Sequence, residues 1–139
     1  MNIDSIQSGV VSDHITAGKG RVIYKLLHLD DLDCSVAMIM NASSHKMGKK
    51  DIIKIDSNIP VDVDVIGYVD PEATINIIQN GTLVEKRALQ LPELLTNVIR
   101  CKNPRCITSV EQELTQVFKL TDRNKKIYRC IYCEAKAGK

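Results

Sequence analysis

Tryptophan is absent from this 139-residue chain, and Phe118 is its only phenylalanine, so that aromatic residues make up 4% of the sequence. Hydrophobic residues still account for 44% and charged residues for 26%, which is the balance of an ordinary globular protein. The length suffices for one ordinary domain, or for a small domain followed by a second, very small domain that is held together by cross-links. The core must therefore be built from isoleucine, valine and leucine.

Long apolar segments are also missing. No run approaches the roughly 20 residues that cross a bilayer, and residues 1–5 lack the basic and apolar regions of a signal peptide. We therefore expect a cytoplasmic protein without membrane association. Cysteines stay reduced in that compartment, and clustered ones are more often metal ligands than disulfides.

Motifs for nucleotide hydrolysis and nucleophilic catalysis are missing as well. Gly18-Lys19-Gly20 does not meet the Gly-x4-Gly-Lys-Ser/Thr pattern of phosphate-cradling P-loops. No Ser-His-Asp or Cys-His set suggests a nucleophile, and no acidic pair suggests a catalytic magnesium ion. His14 alone could act as a general base in another setting. We expect a protein that is not an enzyme.

Charge is unevenly distributed along the chain. Residues 1–99 carry nine basic and thirteen acidic side chains, a net charge of −4, whereas residues 100–139 carry ten and four, a net charge of +6. Such a split suggests two units with different partners. Metal-bound thiolates are the alternative explanation, because four thiolates and one divalent ion sum to −2 and would offset part of the C-terminal excess.

The first 99 residues alternate between predicted helices and strands. Apolar residues recur at helical spacing over 17–29. Asn80-Gly81 lies between two β-rich runs and predicts a hairpin, because both residues tolerate positive φ. Residues 42–48 are predicted as a polar loop and 91–96 as a short connector. The predicted strands cover 34–40, 50–56, 74–78 and 82–89, followed by 116–120 and 126–129 in the cysteine-bearing part.

Residues 59–69 fit two structures. Val61, Val63 and Val65 alternate with aspartates, as in a strand, yet Pro60 could open a helix that has Val65 and Ile66 on one face. With this element left open, the order of elements predicts an antiparallel sheet with helices on one face, an α+β sandwich.

Four of the five cysteines fall into two closely spaced pairs. Cys101 and Cys106 form a C-x4-C pair, and Cys130 and Cys133 form a C-x2-C pair. Zinc takes four such ligands at about 2.3 Å in a tetrahedron, and with four cysteines we expect one structural ion per chain without an open position. A rubredoxin-like iron site in an electron-transfer protein is the alternative. Cys34 opens an apolar run and is expected to be a buried, inert thiol.

Three lysines form a candidate phosphate site. Lys50 and Lys54 are four residues apart and share a face in either a strand or a helix. Lys86 follows the predicted hairpin. If these three converge on one point, they bind phosphate as point charges; otherwise they are solvated surface lysines.

These motifs occur in an order that resembles one family. In chain order they are Asp13-His14-Ile15, the Met-Gly-Lys-Lys-Asp-Ile-Ile-Lys-Ile stretch of residues 47–55, Ala73-Thr74-Ile75-Asn76, Leu91-Pro92 and the two cysteine pairs. Together, from about Ile3 to Glu134, they resemble the regulatory chain of aspartate carbamoyltransferase, a non-catalytic subunit in pyrimidine biosynthesis.

The resemblance implies an architecture and a set of partners. Over residues 1–95 it implies a ferredoxin-like α/β sandwich, an antiparallel sheet with two helices, that binds nucleoside triphosphate effectors of the ATP/CTP type. Over residues 96–139 it implies a small all-β zinc-ribbon domain that contacts the catalytic chain. Regulatory chains of this family pair through their N-terminal domains. The family pattern also makes residues 60–68 a helix, which we adopt.

Individual residues acquire roles from the same resemblance. Lys54 and Lys86 match ribose and triphosphate lysines, and Asn76 and Ile78 match positions lining the base pocket. The four cysteines match the zinc ligands. The polar positions that contact the catalytic chain correspond to Asn103 and Glu134. The full set expected near the nucleotide is Asp4, Ile6, Asp13, His14, Lys50, Lys54, Asn76, Ile78, Leu83 and Lys86, with Asp4 and Ile6 on an N-terminal segment that covers the pocket.

Two departures and one rival interpretation accompany the resemblance. Gly81 stands where some members place a tyrosine near the base, and Ala88 follows Arg87 where a basic residue is expected. The rival is a zinc-ribbon protein that binds nucleic acid through its basic C-terminal part. Nucleic acid is the less favoured partner, because few aromatic residues could stack on bases. The cations that motivate the rival are Arg100, Lys102, Arg105, Lys125, Lys126 and Arg129.

Overall fold

The computed structural model describes residues 8–137, and the chain divides into two compact units between Gln90 and Leu91. The expected boundary lay after residue 95. The structure places the division earlier because a short strand, β6 (Leu94–Thr96), pairs with a strand of the cysteine-bearing unit.

The first unit is a five-stranded antiparallel sheet with two short helices. Its strand order is β2-β3-β1-β4-β5, and every neighbouring pair is antiparallel. The β1-α1-β2-β3-α2-β4 core confirms the expected ferredoxin-like sandwich, with β5 added at one edge. The elements are β1 (Gly9–Thr16), α1 (Gly20–Leu26), β2 (Val36–Ser44), β3 (Gly48–Ile55), α2 (Val63–Val69), β4 (Thr74–Gln79) and β5 (Thr82–Ala88).

Strand alternation separates the two faces of this sheet. Val10, Ile53 and Ile75 are buried together with Ile23 of α1 and Ile66 of α2, so both helices cover one face. The intervening residues of the strands point to the opposite face, because successive side chains alternate. In the described part of the chain, that second face has no helix against it, and we call it the open face.

Two of the sequence-based assignments need correction. The predicted loop over 42–48 is largely strand, since β2 continues to Ser44 and β3 starts at Gly48; Ser43 pairs with Lys49. The connector over 91–96 contains β6, as described above. Both segments are polar or short, and cross-strand pairing rather than local propensity makes them strands.

The open question at residues 59–69 is resolved in favour of the helix. Helix α2 begins at Val63 because the Asp62 side chain accepts a hydrogen bond from the Asp64 N–H at 3.1 Å, an N-cap that satisfies one of the free donors of the first turn. Val65 and Ile66 are then both buried. The predicted hairpin is also present, with positive φ at Asn80 (53°) and Gly81 (75°).

One buried carboxylate joins three segments of the first unit. Asp51 is fully buried, and its Oδ2 accepts hydrogen bonds from the N–H groups of Gly18 (2.9 Å) and Gly20 (3.0 Å). Its Oδ1 accepts a hydrogen bond from the Asn41 N–H at 3.0 Å. A Cβ on Gly20 would lie 2.8 Å from that Oδ2, so glycine is required for this close approach. Asp51 therefore fixes the start of α1 and the irregularity of β2 relative to β3.

The second unit is a three-stranded antiparallel sheet of order β6-β7-β8, where β7 is Val117–Asp122 and β8 is Ile127–Cys130, with one helical turn, α3 (Ile107–Val110). This confirms the expected strand-rich C-terminal domain. Its core holds Leu95, Phe118 and Tyr128. The Tyr128 hydroxyl donates to the Pro92 carbonyl at 2.6 Å, which ties the start of the unit to β8. None of the helices described in residues 8–137 is long and apolar enough to span a membrane.

Replacing Asp51 with alanine is expected to destabilise the first unit by about 3 kcal/mol or more, because three backbone N–H groups, including that of the buried Gly20, lose their acceptor. Urea unfolding followed by circular dichroism measures the change in free energy. The matched control is Asp56→Ala, at an exposed position just after the same strand. Equal midpoints for the two variants would contradict this account of Asp51.

Candidate functional site

The four cysteines predicted as metal ligands converge at one end of the second unit. Their sulfur atoms all lie within 4.8 Å of one another. Cys101 and Cys133 are 3.6 Å apart between sulfurs, and Cys106 and Cys130 are 3.7 Å apart. Bonds of about 2.3 Å in a tetrahedron require sulfurs about 3.8 Å apart, whereas a disulfide requires about 2.05 Å. The four residues therefore fit a tetrahedral metal ion.

Backbone and side-chain donors surround the sulfurs. The N–H of Asn103 points to the Cys101 sulfur, that of Ala135 to Cys133, and those of Tyr132 and Cys133 to Cys130. Such donors stabilise thiolates, the form in which cysteine ligates a metal. Both knuckles, the turns Cys101–Cys106 and Cys130–Cys133, thus supply donors that stabilise the thiolates once a cation has replaced their protons.

Without a cation, the charges of the four cysteines are not balanced. Burial, reinforced by the neighbouring thiols, raises the pKa of Cys101 to about 12. The Ala135 N–H and the Asn103 side chain lower the pKa of Cys133 to about 6. Burial also raises the pKa of Cys130. Thiols this close cannot all ionise unless a cation replaces their protons, which is how metal binding couples to proton release.

Two residues that the sequence analysis did not single out support the cage. The Thr108 hydroxyl donates to the Cys106 sulfur at 3.1 Å, and the buried Gln116 Oε1 accepts from the Cys101 N–H at 3.0 Å. Thr108 lies two residues after Cys106, so its position near a metal ligand can be read from the sequence. Gln116 reaches the cage only because the chain folds back, so no local pattern reveals it. Such outer contacts orient metal ligands.

The two residues predicted to contact a partner lie beside the cage. The Asn103 Oδ1 accepts from the Arg105 N–H at 3.0 Å, so its side chain already braces the first knuckle. Glu134 directly follows the second knuckle with a φ of 64°, and its carbonyl accepts from the Arg129 guanidinium at 2.9 Å. Exposed apolar residues surround the same end of the unit, namely Ile107, Val110, Ile131 and Tyr132.

The open face of the first unit collects the residues predicted near a nucleotide. Lys54 pairs with Val11, Val11 with Asn76, and Asn76 with Lys86. Directly opposed residues share a face of the sheet. Lys54, Asn76 and Lys86 therefore form one row across four strands, in which adjacent strands are about 4.8 Å apart.

A β-bulge completes this face. Leu83 and Lys86 are three residues apart and would face opposite sides of a regular strand. The register shifts between Ile77 and Ile78, so that Leu83 lies opposite Ile78 while Lys86 lies opposite Asn76. The extra residue brings Ile78, Leu83, Asn76 and Lys86 to the same side, in agreement with their predicted grouping. Asp4 and Ile6 lie outside the described residues.

Lys50 lies further along the face and has an anionic partner. Its ammonium is 3.0 Å from the Asp13 carboxylate, and both side chains are mostly buried. Lys50 and Lys54 are about 13 Å apart along β3 at the strand rise per residue, so the lysines form a band rather than converging on one point. The His14 ring contacts the Thr74 hydroxyl at 3.2 Å, a neighbour that the sequence analysis missed.

The charge of Asp13 depends on this pair. Burial favours its neutral form, but hydrogen bonds from Lys50 and from the His14 N–H outweigh burial and lower the pKa of Asp13 from its usual 3.8. A carboxyl group whose pKa falls on folding contributes stability above its unfolded pKa, and this stability is lost as the pH falls through its folded pKa. Asp13 is thus a fixed negative charge near neutral pH.

An unpaired acceptor lies in the same row. The Asn76 side-chain oxygen is buried and has no hydrogen-bond partner within the described part of the chain. Buried acceptors are normally satisfied, so this oxygen suits a ligand that brings a donor to the open face.

Replacing Cys106 with serine should abolish metal retention, because the tetrahedron loses one of its soft ligands. Elemental analysis of the purified protein should fall from one metal ion per chain to nearly none. Cys34→Ser is the matched control, since Cys34 is a free cysteine outside the cluster. Full metal content in the Cys106 variant, or its loss in the Cys34 variant, would exclude this cage.

Replacing Lys50 with methionine should raise the pKa of Asp13 relative to the wild type, because the burial remains while the stabilising cation is gone. Carboxyl-detected NMR titration measures this pKa in both proteins. Lys49→Met, which removes an exposed neighbouring charge, should leave it lowered. An unchanged Asp13 pKa after the Lys50 substitution would refute the role given to Lys50.

Comparisons with known proteins match the two parts of the chain to two domains of one family. Residues 1–90 match the model of the aspartate carbamoyltransferase regulatory chain, allosteric domain, and residues 93–139 match the model of its metal binding domain. The chain is 51% identical over 134 residues to the aspartate carbamoyltransferase regulatory chain of Clostridium botulinum strain Hall, covering 96% of this chain and 92% of the relative.

Two further relatives carry the same name. The Clostridium tetani protein is 50% identical over 135 residues, covering 96% of this chain and 94% of the relative, and the Bifidobacterium longum protein is 41% identical over 137 residues, covering 99% of both. The four-cysteine cluster lies within the part that matches the metal binding domain. The chain therefore belongs to the aspartate carbamoyltransferase regulatory chain family, whose members are non-catalytic subunits with an allosteric domain and a metal-binding domain, associated with catalytic chains in pyrimidine biosynthesis.

Proposed function

We propose that the open face of the first unit binds a nucleoside triphosphate of the ATP/CTP type. The row of Lys54, Asn76 and Lys86 across the sheet is the observation that carries this proposal. Lysine binds phosphate as a compact point charge. Long lysine side chains at both ends of the row can reach toward a ligand placed over Val11 and Asn76. Lys50, paired with Asp13 further along β3, lies at the edge of the proposed site.

The base is recognised at the bulged side of this face. Ile78 and Leu83 oppose each other there, and Leu83 is 53% exposed, so an apolar surface is available for a planar ring. The unpaired Asn76 oxygen accepts a hydrogen bond from the exocyclic amino group that adenine and cytosine share. Gly81, next to Leu83 in the hairpin, offers no aromatic ring to stack on this base. Asp4 and Ile6 remain proposed as parts of the segment covering the pocket.

The metal in the second unit is zinc, one ion per chain, with a structural role. Four cysteines with tetrahedral spacing leave no position for substrate or water, which is the pattern of structural zinc sites. The unequal knuckles, with four and two intervening residues, differ from the paired C-x2-C pattern of the rubredoxin-like alternative. Reduced, metal-binding cysteines also agree with a cytoplasmic location.

The metal-bearing end of the second unit docks on the catalytic chain. Val110 is 75% exposed and Ile107 51% exposed, and both lie on the turn that begins at a metal ligand. Apolar surface grouped with polar neighbours such as Asn103 and Glu134 is typical of protein interfaces. Regulatory chains pair through their first units, whose sheet has the free edge strands β2 and β5.

Effector binding then shifts the attached catalytic chains between less and more active states. This coupling must be reciprocal and is usually worth about 1–3 kcal/mol. A substrate analogue on the catalytic chain therefore changes the affinity for nucleotide by the same factor.

The decisive experiment mixes the metal-loaded chain with aspartate carbamoyltransferase catalytic chains and measures co-elution and aspartate saturation with ATP or CTP. We expect co-elution and a nucleotide-dependent shift of the saturation curve. Lys86→Ala should weaken nucleotide binding by roughly 10-fold or more, the value of one charge-assisted hydrogen bond, with co-elution and metal content unchanged.

The matched control is Lys125→Ala, which removes an exposed lysine of the other unit and should leave nucleotide affinity unaltered. If the wild-type chain never co-elutes under any metal loading, the docking proposal is wrong. If Lys86→Ala binds nucleotide as tightly as the wild type, Lys86 does not belong to the site.

A further inference from the structure

A row of cations crosses the second unit. Lys119 of β7 pairs with Arg129 of β8, and Arg129 forms an isolated bridge with Lys136. On the other side, Lys119 pairs with Leu94 of β6. Directly opposed residues have Cβ atoms about 4.5–5.5 Å apart on the same face. Lys119, Arg129 and Lys136 therefore form one line, which we call the basic row.

The basic row occupies the outer face of this sheet. Leu95, Phe118 and Cys130, the strand neighbours of its members, pair across the opposite face and are all buried. Lys119 and Lys136 are exposed, and Arg129 is half-buried. This face is therefore fully formed within the chain and accessible to another molecule.

No carboxylate of the described residues forms an ion pair with the basic row. Among residues 8–137, none of its three cations takes part in an ion pair, although Arg123 of the same unit pairs with Glu93 at 2.7 Å. Like charges placed directly opposite each other on a sheet destabilise it. An arrangement that is unfavourable within the chain becomes favourable when a surface of opposite charge covers it.

The row continues into the metal-bearing end of the unit. Lys119, Thr121, Arg129, Ile131 and Glu134 line a shallow cavity of about 200 Å³. Ile131 lies between two metal ligands, and the Arg129 guanidinium holds the Glu134 carbonyl at 2.9 Å. The basic row and the second knuckle thus form one continuous surface.

We propose that the basic row docks an acidic surface segment of the catalytic chain and sets the rate and register of assembly. The inference rests on the proposed docking function and adds the chemistry of the partner surface. A protein surface fits better than nucleic acid, because the exposed apolar side chains of Leu94 and Ile131 flank the cations. A polyphosphate backbone would gain nothing from these apolar ends.

The test compares two charge-reversal variants of the full, metal-loaded chain. The first carries Lys119→Glu and Lys136→Glu; the control carries Lys125→Glu and Lys126→Glu at the exposed turn between β7 and β8. Association with catalytic chains is followed by surface plasmon resonance at low and high salt, and metal content and circular dichroism verify that each variant is folded.

We expect the association rate of the basic-row variant to fall by about 10-fold or more at low salt, because complementary charge mainly accelerates encounter. The control should stay within about 2-fold of the wild type. The difference should largely disappear near 1 M salt, where the screening length is about 3 Å.

Each other outcome has a separate meaning. If the wild-type chain binds no catalytic chain, the proposed docking function fails. If the wild type and both variants bind alike, docking stands and the role of the basic row is overturned. A single-stranded oligonucleotide is tested in parallel. If the basic-row variant loses affinity only for the oligonucleotide, nucleic acid is the occupant and the inference is again overturned.

Discussion

Four sulfur atoms within 4.8 Å of one another, each with an N–H or O–H donor nearby, form an assembly of negative charge that only a cation can complete. The second unit depends on this electrostatic constraint. Its core consists of few large side chains, principally Leu95, Phe118 and Tyr128, and a unit of this size buries little apolar surface. Metal binding in small zinc modules contributes about 10–16 kcal/mol of apparent free energy. The same ion that holds the knuckles together therefore also shapes the surface around Ile107, Ile131 and Glu134.

The first unit is held together by an aliphatic core and a buried carboxylate. Its two helices cover one face of the sheet with an aliphatic core, and Asp51 replaces the ion as the polar tie between segments. Because all helical packing lies on that face, the other face is free to carry charge. Lys50, Lys54 and Lys86 occupy it, with Asp13 held ionised beside Lys50.

Local patterns predicted the parts of the structure that depend on local chemistry. The Asn80-Gly81 turn, the aliphatic strands and the two cysteine pairs need only their own residues, and all are found in the structure. The α2 helix required the family pattern, because its valines alternate in a way that also suits a strand. The first residue of α2 became clear only from the Asp62 cap.

What the sequence did not reveal depends on pairing between distant residues. Strand β6 exists because β7 offers it a partner, and the end of β2 is strand because β3 extends to meet it. The grouping of Leu83 with Lys86 requires a bulge that no local pattern shows. Gln116 reaches the Cys101 N–H from fifteen residues away. Alternation alone would have placed Leu83 on the face opposite to that of Asn76 and Lys86.

The distribution of charge follows from how each unit is stabilised: the first by an aliphatic core and buried aspartates, the second by its four metal-binding cysteines. In the first unit, Asp51 and Asp70 are buried acceptors of backbone N–H groups, whereas Lys50, Lys54 and Lys86 lie on the open face. In the second unit, the thiolates take the internal role of the anions, so that carboxylates are few and the sheet can carry a line of unopposed cations. The net charges of −4 and +6 in the two parts of the sequence therefore do not measure surface charge directly. Part of the negative charge of each unit, the carboxylates of Asp51 and Asp70 in the first and the metal-binding thiolates in the second, lies inside and organises the fold.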